Sequence, residues 1–143
     1  MTSPRKRSLV SGWMTSHLIK VSPDDELFAA VEQMAERAIR HVLVLDGEQL
    51  IGILSNRDLV RATFKHPDRK LDLHGVLVSE VMTPNPITIS PEASICEAAQ
   101  VMVEHAINAL PVVADGLPCG ILSSDDLLRA LSVQELAAPL PQL

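Results

Sequence analysis

Apolar residues fall at helical spacing twice along this chain, at Leu27, Ala30, Val31 and Met34 and again at Ile95, Ala98, Ala99 and Met102. That spacing places each set on one side of a helix and predicts two amphipathic helices. Ahead of each stripe stands a short β-favouring stretch, Ile19-Lys20-Val21 and Ile87-Thr88-Ile89. Between stretch and stripe lie Ser22-Pro23-Asp24-Asp25 and Ser90-Pro91-Glu92, which read as helix starts. Serine caps free N–H groups, proline fits the first helical position, and acids suit the positive helix end. After each stripe come two apolar runs separated by a turn. Val42–Leu45 leads through Asp46-Gly47 to Leu50–Ser55, a strong hairpin signal. Leu110–Val113 leads through Ala114-Asp115-Gly116 to Gly120–Ser123, with Pro118 expected to keep the start of that strand irregular or at an edge. Short helices, about Arg57–Ala62 and Asp125–Leu131, close each set. The order is β-α-β-β-α, twice.

The two sets are copies. Met14-Thr15 falls on Met82-Thr83, an offset of 68, and Gly52-Ile53-Leu54-Ser55 falls on Gly120-Ile121-Leu122-Ser123 at the same offset. Asp58-Leu59 with Arg61-Ala62 falls likewise on Asp126-Leu127 with Arg129-Ala130. Two copies are too few for a solenoid. The expected fold is α/β (α+β): two pseudo-twofold-related repeats packed through their small sheets, helices outside, with equivalent clefts between them. The expected boundaries are a flexible tail at 1–8, repeat one at 9–64, a linker at 65–75, repeat two at 76–133 and a C-terminal tail at 134–143.

Composition narrows the function. With 143 residues and 47% apolar content, the chain is long enough for a sizeable core. Aromatics are only 2%, so the core is aliphatic and the stacking platforms of single-stranded nucleic-acid binders are missing. A net charge of −6 also argues against nucleic acid. The basic cluster Arg5-Lys6-Arg7 reads as solvated tail. No apolar run is long enough for a signal peptide or a membrane span, so a soluble cytoplasmic protein is expected. Cys96 and Cys119 make no metal or redox spacing, and the five histidines show no paired ligand spacing. No catalytic residues and no metal ligands are assigned: there is no nucleophile with a base and no glycine-rich phosphate loop, so an enzyme is not expected.

The chemistry-bearing residues sit where a strand gives way to a helix. Ser55-Asn56-Arg57-Asp58 and its copy Ser123-Ser124-Asp125-Asp126 stand there. Free N–H groups and the helix dipole favour a phosphate, and a serine hydroxyl adds a donor. A carboxylate three residues on can accept two hydrogen bonds from a ribose diol, and Arg57 adds charge suited to phosphate. The same residues are favoured caps at any helix start. Their recurrence at equivalent positions favours a ligand role. A second element precedes the middle strand: Ile39, Arg40, His41 and Val42 in repeat one, Ile107, Asn108, Ala109 and Pro111 in repeat two. Its small and branched apolar residues suit either a purine clamp or ordinary core packing.

These residues together resemble the CBS-domain family, named after cystathionine β-synthase. The markers are Trp13-Met14-Thr15, Val81-Met82-Thr83-Pro84-Asn85-Pro86, the stretch from Ile107 to Val113, and the two Gly-Ile-Leu-Ser runs with their following Asp-Leu pairs. The resemblance covers about Leu9 to Val133 and implies a tandem CBS pair, or Bateman module. It implies binding of AMP, ADP, ATP or S-adenosylmethionine in clefts between the repeats, as regulatory ligands rather than obligatory cofactors. It implies that Asp58 or Asp126 holds ribose and that Ser55 or Ser123 approaches phosphate. The expected function is a stand-alone regulatory module that signals to an unidentified partner protein. The alternative is a dimerisation or docking module with empty clefts. A homodimer is expected, through Phe28 and Val31 in one repeat and Val101 and Val103 in the other. Leu43 stands where repeat two has Pro111, and Asp125 stands where repeat one has Arg57, so the two clefts are expected to differ.

Overall fold

The structure is a computed structural model that describes residues 6–65 and 70–133. It is a mixed α/β fold with two small sheets, and the chain forms two compact units. One is built around His17–Pro86. The other is built around Ile87–Asp115 and the stretch from Cys119, together with the segment that ends at Ser16.

In the first unit β1 (Lys20–Val21) is followed by α1 (Leu27–Arg37), β2 (His41–Asp46), β3 (Gln49–Ser55), α2 (Asn56–Lys65), α3 (Val78–Val81) and β4 (Thr83–Pro84). The sheet order is β1-β2-β3-β4. β1 runs parallel to β2, which needs a crossover, and α1 supplies it. β2 and β3 form the antiparallel hairpin, turning at Gly47 with φ of +64°. α1 buries Leu27, Ala30 and Met34 against Val21, Val42, Val44, Leu54 and Val78.

The second unit repeats this plan with α4 (Ile95–His105), β5 (Ala109–Ala114), β6 (Leu117–Ser123) and α5 (Ser124–Val133). Its outer strands shrink to single bridges, Ile89 parallel to Val112 and Thr15 antiparallel to Ile121. Ile87-Thr88-Ile89 is therefore less of a strand than its composition suggests. The β5–β6 turn places Asp115 and Gly116 both at positive φ, 53° and 78°, as a two-residue hairpin turn requires. Pro118 lies near the start of β6, which is an edge strand of its two-stranded sheet, as the proline allows. A proline so near a strand end removes at most one ladder bond. The core gathers Val10, Ile89, Ala98, Met102, Leu110, Val112 and Leu122.

Packing units and sequence repeats are offset from one another. Thr83-Pro84, at the head of repeat two, forms β4 on the edge of the first unit's sheet. Thr15, at the head of repeat one, bridges the second unit's β6. A glycine permits each close approach. A Cβ on Gly52 would lie 2.5 Å from Sδ of Met82, and one on Gly120 would lie 2.7 Å from Sδ of Met14.

The helix starts also differ from expectation. Ser22-Pro23 lies in a turn before α1: the Asp25 carboxylate accepts from the Ser22 N–H at 2.8 Å, and Ser22 Oγ accepts from the Asp24 N–H at 3.4 Å. Such local bonds compete with helix formation. α1 begins only at Leu27, whose N–H reaches the Val76 carbonyl at 2.8 Å, while the Phe28 N–H reaches that of Leu73 at 2.9 Å. α4 is capped by Ser94, whose Oγ accepts from the Glu97 N–H at 3.0 Å, rather than by Ser90. Both α1 and α4 end on an alanine in the left-handed region, Ala38 at φ 52° and Ala106 at φ 53°.

Lys6–Ser8, expected in a loose tail, form a 3-10 turn whose Arg7 carbonyl accepts from Trp13 Nε1 at 2.7 Å. Part of the linker, 66–69, and the tail at 134–143 lie outside the described residues. The exposed apolar surface is only partly where it was expected. Val31 and Val101 pack against the two cores, and Phe28 stacks on His74 with ring centroids 4.6 Å apart. Phe28 and Val103 are exposed as expected, and further large exposed apolar residues lie on α2 and α5, among them Val60, Phe64, Leu128 and Leu131. Among the described residues no helix is long and apolar enough to cross a membrane.

Candidate functional site

Each tetrad folds into a reciprocal helix cap. Ser55 is the residue before α2, and its Oγ accepts from the Asp58 N–H at 3.2 Å. The Asp58 carboxylate answers through Oδ2, accepting from the Ser55 N–H at 2.8 Å and the Ser55 hydroxyl at 3.1 Å. Ser123 and Asp126 repeat these bonds at 3.3, 2.8 and 3.1 Å. This is a capping box with aspartate in place of the usual glutamate. It keeps Asp58 only 6% exposed and Asp126 only 3% exposed, and they are the only buried charged groups among the described residues. A buried carboxylate is tolerated because both its oxygens are engaged by hydrogen bonds or ion pairs.

The cap uses Oδ2. The other oxygen differs between the repeats. Asp58 Oδ1 accepts from the Thr83 hydroxyl at 2.9 Å, and the Arg61 guanidinium lies 3.8 Å away. Asp126 Oδ1 is held instead by the Arg129 guanidinium. Neither Thr83 nor the two arginines was singled out as a site residue in the sequence. Thr83 had a signal there, because the Met-Thr pair recurs in both repeats.

The second element joins the first through the backbone. The Asn56 N–H donates to the Arg40 carbonyl at 3.1 Å, and the Ser124 N–H to the Asn108 carbonyl at 2.9 Å. His41 is the register partner of Ser55 across β2 and β3. The structure thus brings Arg40, His41, Ser55, Asn56 and Asp58 together in one unit, and Asn108, Ser123, Ser124 and Asp126 in the other. Val42, Ala109 and Pro111 are buried, and Val42 belongs to the first unit's core cluster. Ile39 and Ile107 are partly buried against those cores. Arg57 lines a shallow hollow of about 330 Å3 together with Asn56, Val60 and Arg61. Among the described residues no group of three or more His, Cys, Asp or Glu side chains is placed to hold a metal ion.

Two α/β units, each with a strand-to-helix cap closed by a buried aspartate, define a tandem-repeat module. The chain belongs to the CBS-domain family: that domain matches residues 10–65 and again 78–133. It is 31% identical over 121 residues to the CBS domain-containing protein YhcV of Bacillus subtilis, covering 84% of this chain and 83% of that one. It is 33% identical over 111 residues to inosine-5'-monophosphate dehydrogenase of Korarchaeum cryptofilum, covering 77% of this chain but 21% of the dehydrogenase. It is 38% identical over 106 residues to arabinose 5-phosphate isomerase KdsD of Pseudomonas aeruginosa, covering 73% of this chain and 31% of the isomerase. The chain therefore spans only a minor part of those two enzymes. Among solved structures it resembles the CBS domain pair of protein MJ0100 in complex with 5'-methylthioadenosine and S-adenosyl-L-methionine, with a TM-score of 0.75 and 25% identity over 85% of this chain and 98% of that one.

Proposed function

We propose that this CBS pair is a cytoplasmic regulatory module, not an enzyme, that binds an adenosine-containing ligand (AMP, ADP, ATP or S-adenosylmethionine). It acts as a homodimer and passes its ligand state to a partner protein. Ser55–Asp58 and Ser123–Asp126 are the contact points for ribose and phosphate. Arg40, His41 and Asn108 flank them, and Ile39 and Ile107 stand on the purine side.

One observation carries the reading. Asp58 Oδ1 lies outside the cap and already accepts a hydroxyl from another part of the chain, that of Thr83. A carboxylate offers about four lone-pair sites. Three are used here by Ser55 and Thr83, so an acceptor remains for a ligand hydroxyl. The related MJ0100 pair, which holds adenosine compounds, supports the ligand class.

A second reading, a docking module that takes no ligand, is favoured by the near-complete burial of both aspartates. Thermal unfolding with and without each of the four ligands separates the two. A ligand at a hundred times its dissociation constant stabilises the fold by about 2.7 kcal/mol. A clear rise in Tm with one of them supports the regulatory reading. No rise with any leaves the docking module.

A further inference from the structure

A cavity of about 350 Å3 opens in the first unit between the last turn of α2, the stretch leading into α3, and α3 itself. It shares no lining residue with the site around Ser55 and Asp58. Its volume is at the lower end of pockets that take small molecules, roughly 300–1,000 Å3. Backbone bonds hold one wall in place. The Val76 carbonyl accepts from the Leu27 N–H at 2.8 Å, and the Leu73 carbonyl accepts from the Phe28 N–H at 2.9 Å. The Val76 N–H in turn reaches the Asp72 carbonyl at 3.1 Å. The hollow is therefore formed before any ligand arrives.

Its lining combines an aliphatic surface with four charges. Leu71, Val76 and Val81 line it and also pack against the first unit's core. Of the charged groups, the two acids are committed to the backbone. Glu80 Oε2 accepts from the Leu77 N–H at 2.8 Å, and Asp72 Oδ1 accepts from the His74 N–H at 3.0 Å. Such bonds satisfy part of a carboxylate's demand for donors. Lys65 and Lys70 are exposed, and neither has an ion pair or hydrogen bond among the described residues. Each carries a mobile ammonium on a long stem that can reach over apolar surface. The hollow thus offers free cations beside an aliphatic wall, which suits an anionic head on an apolar body. Asp72 and Glu80 on the same wall disfavour a head of higher negative charge, such as a phosphate.

We propose that this hollow binds a short aliphatic monocarboxylate, with its chain against Ala62, Leu71, Val76 and Val81 and its carboxylate between Lys65 and Lys70. The chain supplies most of the affinity, and the lysines select the charge of the head. The site stands apart from the adenosine reading and does not depend on it.

The test titrates sodium octanoate onto the full chain and follows the methyl groups by NMR. Saturable shifts are expected at Leu71, Val76 and Val81. Acetate, which lacks the chain, and 1-octanol, which lacks the charge, are each expected to bind about tenfold more weakly or worse. The double variant Lys65→Gln, Lys70→Gln alters only exposed positions and is expected to lose about tenfold in octanoate affinity. Ala62→Leu keeps a good helix former on α2 while narrowing the hollow, and is expected to abolish binding. No saturable binding of octanoate, or shifts centred away from these methyl groups, would overturn the proposal from the unaltered chain alone. So would octanol binding as tightly as octanoate, or an affinity unchanged in the lysine double variant. Either result would mean that Lys65 and Lys70 only solvate the surface and the carbonyl end of α2.

Discussion

The Thr83 hydroxyl donates to Oδ1 of Asp58 at 2.9 Å, joining residues 25 apart in sequence. The bond ties the head of the second repeat to the last helix of the first. Hydrogen bonds to a charged group contribute more than neutral ones. Thr83→Val is therefore expected to lose roughly 1.5–3 kcal/mol of stability. Urea unfolding measures this, and a midpoint unchanged from the parent would show that the bond contributes nothing.

Ala38 and Ala106 end their helices at positive φ, where a side chain is strained and glycine is not. Both residues are exposed, so nothing is lost from packing. Ala38→Gly and Ala106→Gly are each expected to stabilise by about 0.5–1 kcal/mol. The two sites are in separate units, so the gains should add in the double variant. Thermal melts of the three variants decide it, and a lowered Tm in both single variants would refute the strain argument.

Gly52 faces the opposite requirement. A methyl there would meet Sδ of Met82 at 2.5 Å and the Thr83 carbonyl at 3.1 Å. The thioether can swing aside, but the carbonyl is held on β3 by strand pairing. Gly52→Ala is expected to cost roughly 1–3 kcal/mol, as overpacking does. Gly120→Ala should follow it, since the Thr15 carbonyl would lie 3.0 Å away. Adding Met82→Ala to Gly52→Ala should recover only part of the loss. Full recovery would assign the clash to sulfur alone.

Much of this architecture was legible in the sequence. The stripes led by Leu27 and Ile95 became α1 and α4, and the paired apolar runs became both hairpins, because those signals are local. What was not legible depends on contacts between distant segments. Ser22 and Ser90 look like caps but lie in turns: at α1 Asp25 and the carbonyls of Leu73 and Val76 claim the groups a cap would use, and at α4 Ser94 caps the helix instead. The edge positions of Thr15 and Thr83 come from pairing with strands far along the chain. At the site, Ser55 and Asp58 were readable from spacing, whereas Thr83 was marked only by the recurring Met-Thr pair, which does not point to Asp58. Val42 and Pro111 read equally as clamp or core; both are buried, and Val42 packs within the first unit's core cluster.

The two aspartates are expected to differ in ligand preference. Asp58 Oδ1 accepts a neutral hydroxyl, whereas Asp126 Oδ1 is engaged by the Arg129 guanidinium. Arg57 beside Asp58 is replaced by Asp125 beside Asp126. Both side chains are exposed, and one screened charge contact is worth about 1 kcal/mol or less. Reversing the charge should therefore favour phosphate at Ser55–Asp58 by up to about 2 kcal/mol. AMP titrated onto Asp126→Ala should bind nearly as it does to the parent. A larger loss in Asp126→Ala than in Asp58→Ala would show that local charge does not choose the site.

The central claim is that Asp58 serves a ligand and not only a helix. Calorimetric titration of AMP, ATP and S-adenosylmethionine onto the parent and Asp58→Ala, with a melt of each protein, tests it most directly. Saturable binding to the parent by at least one of the three is expected. Asp58→Ala is expected to lose roughly 1.5–3 kcal/mol of binding for each charge-assisted bond removed, with the variant still folded. An Asp58→Ala protein that melts lower, by about the 1 kcal/mol of a lost cap, yet binds with unchanged affinity would contradict it.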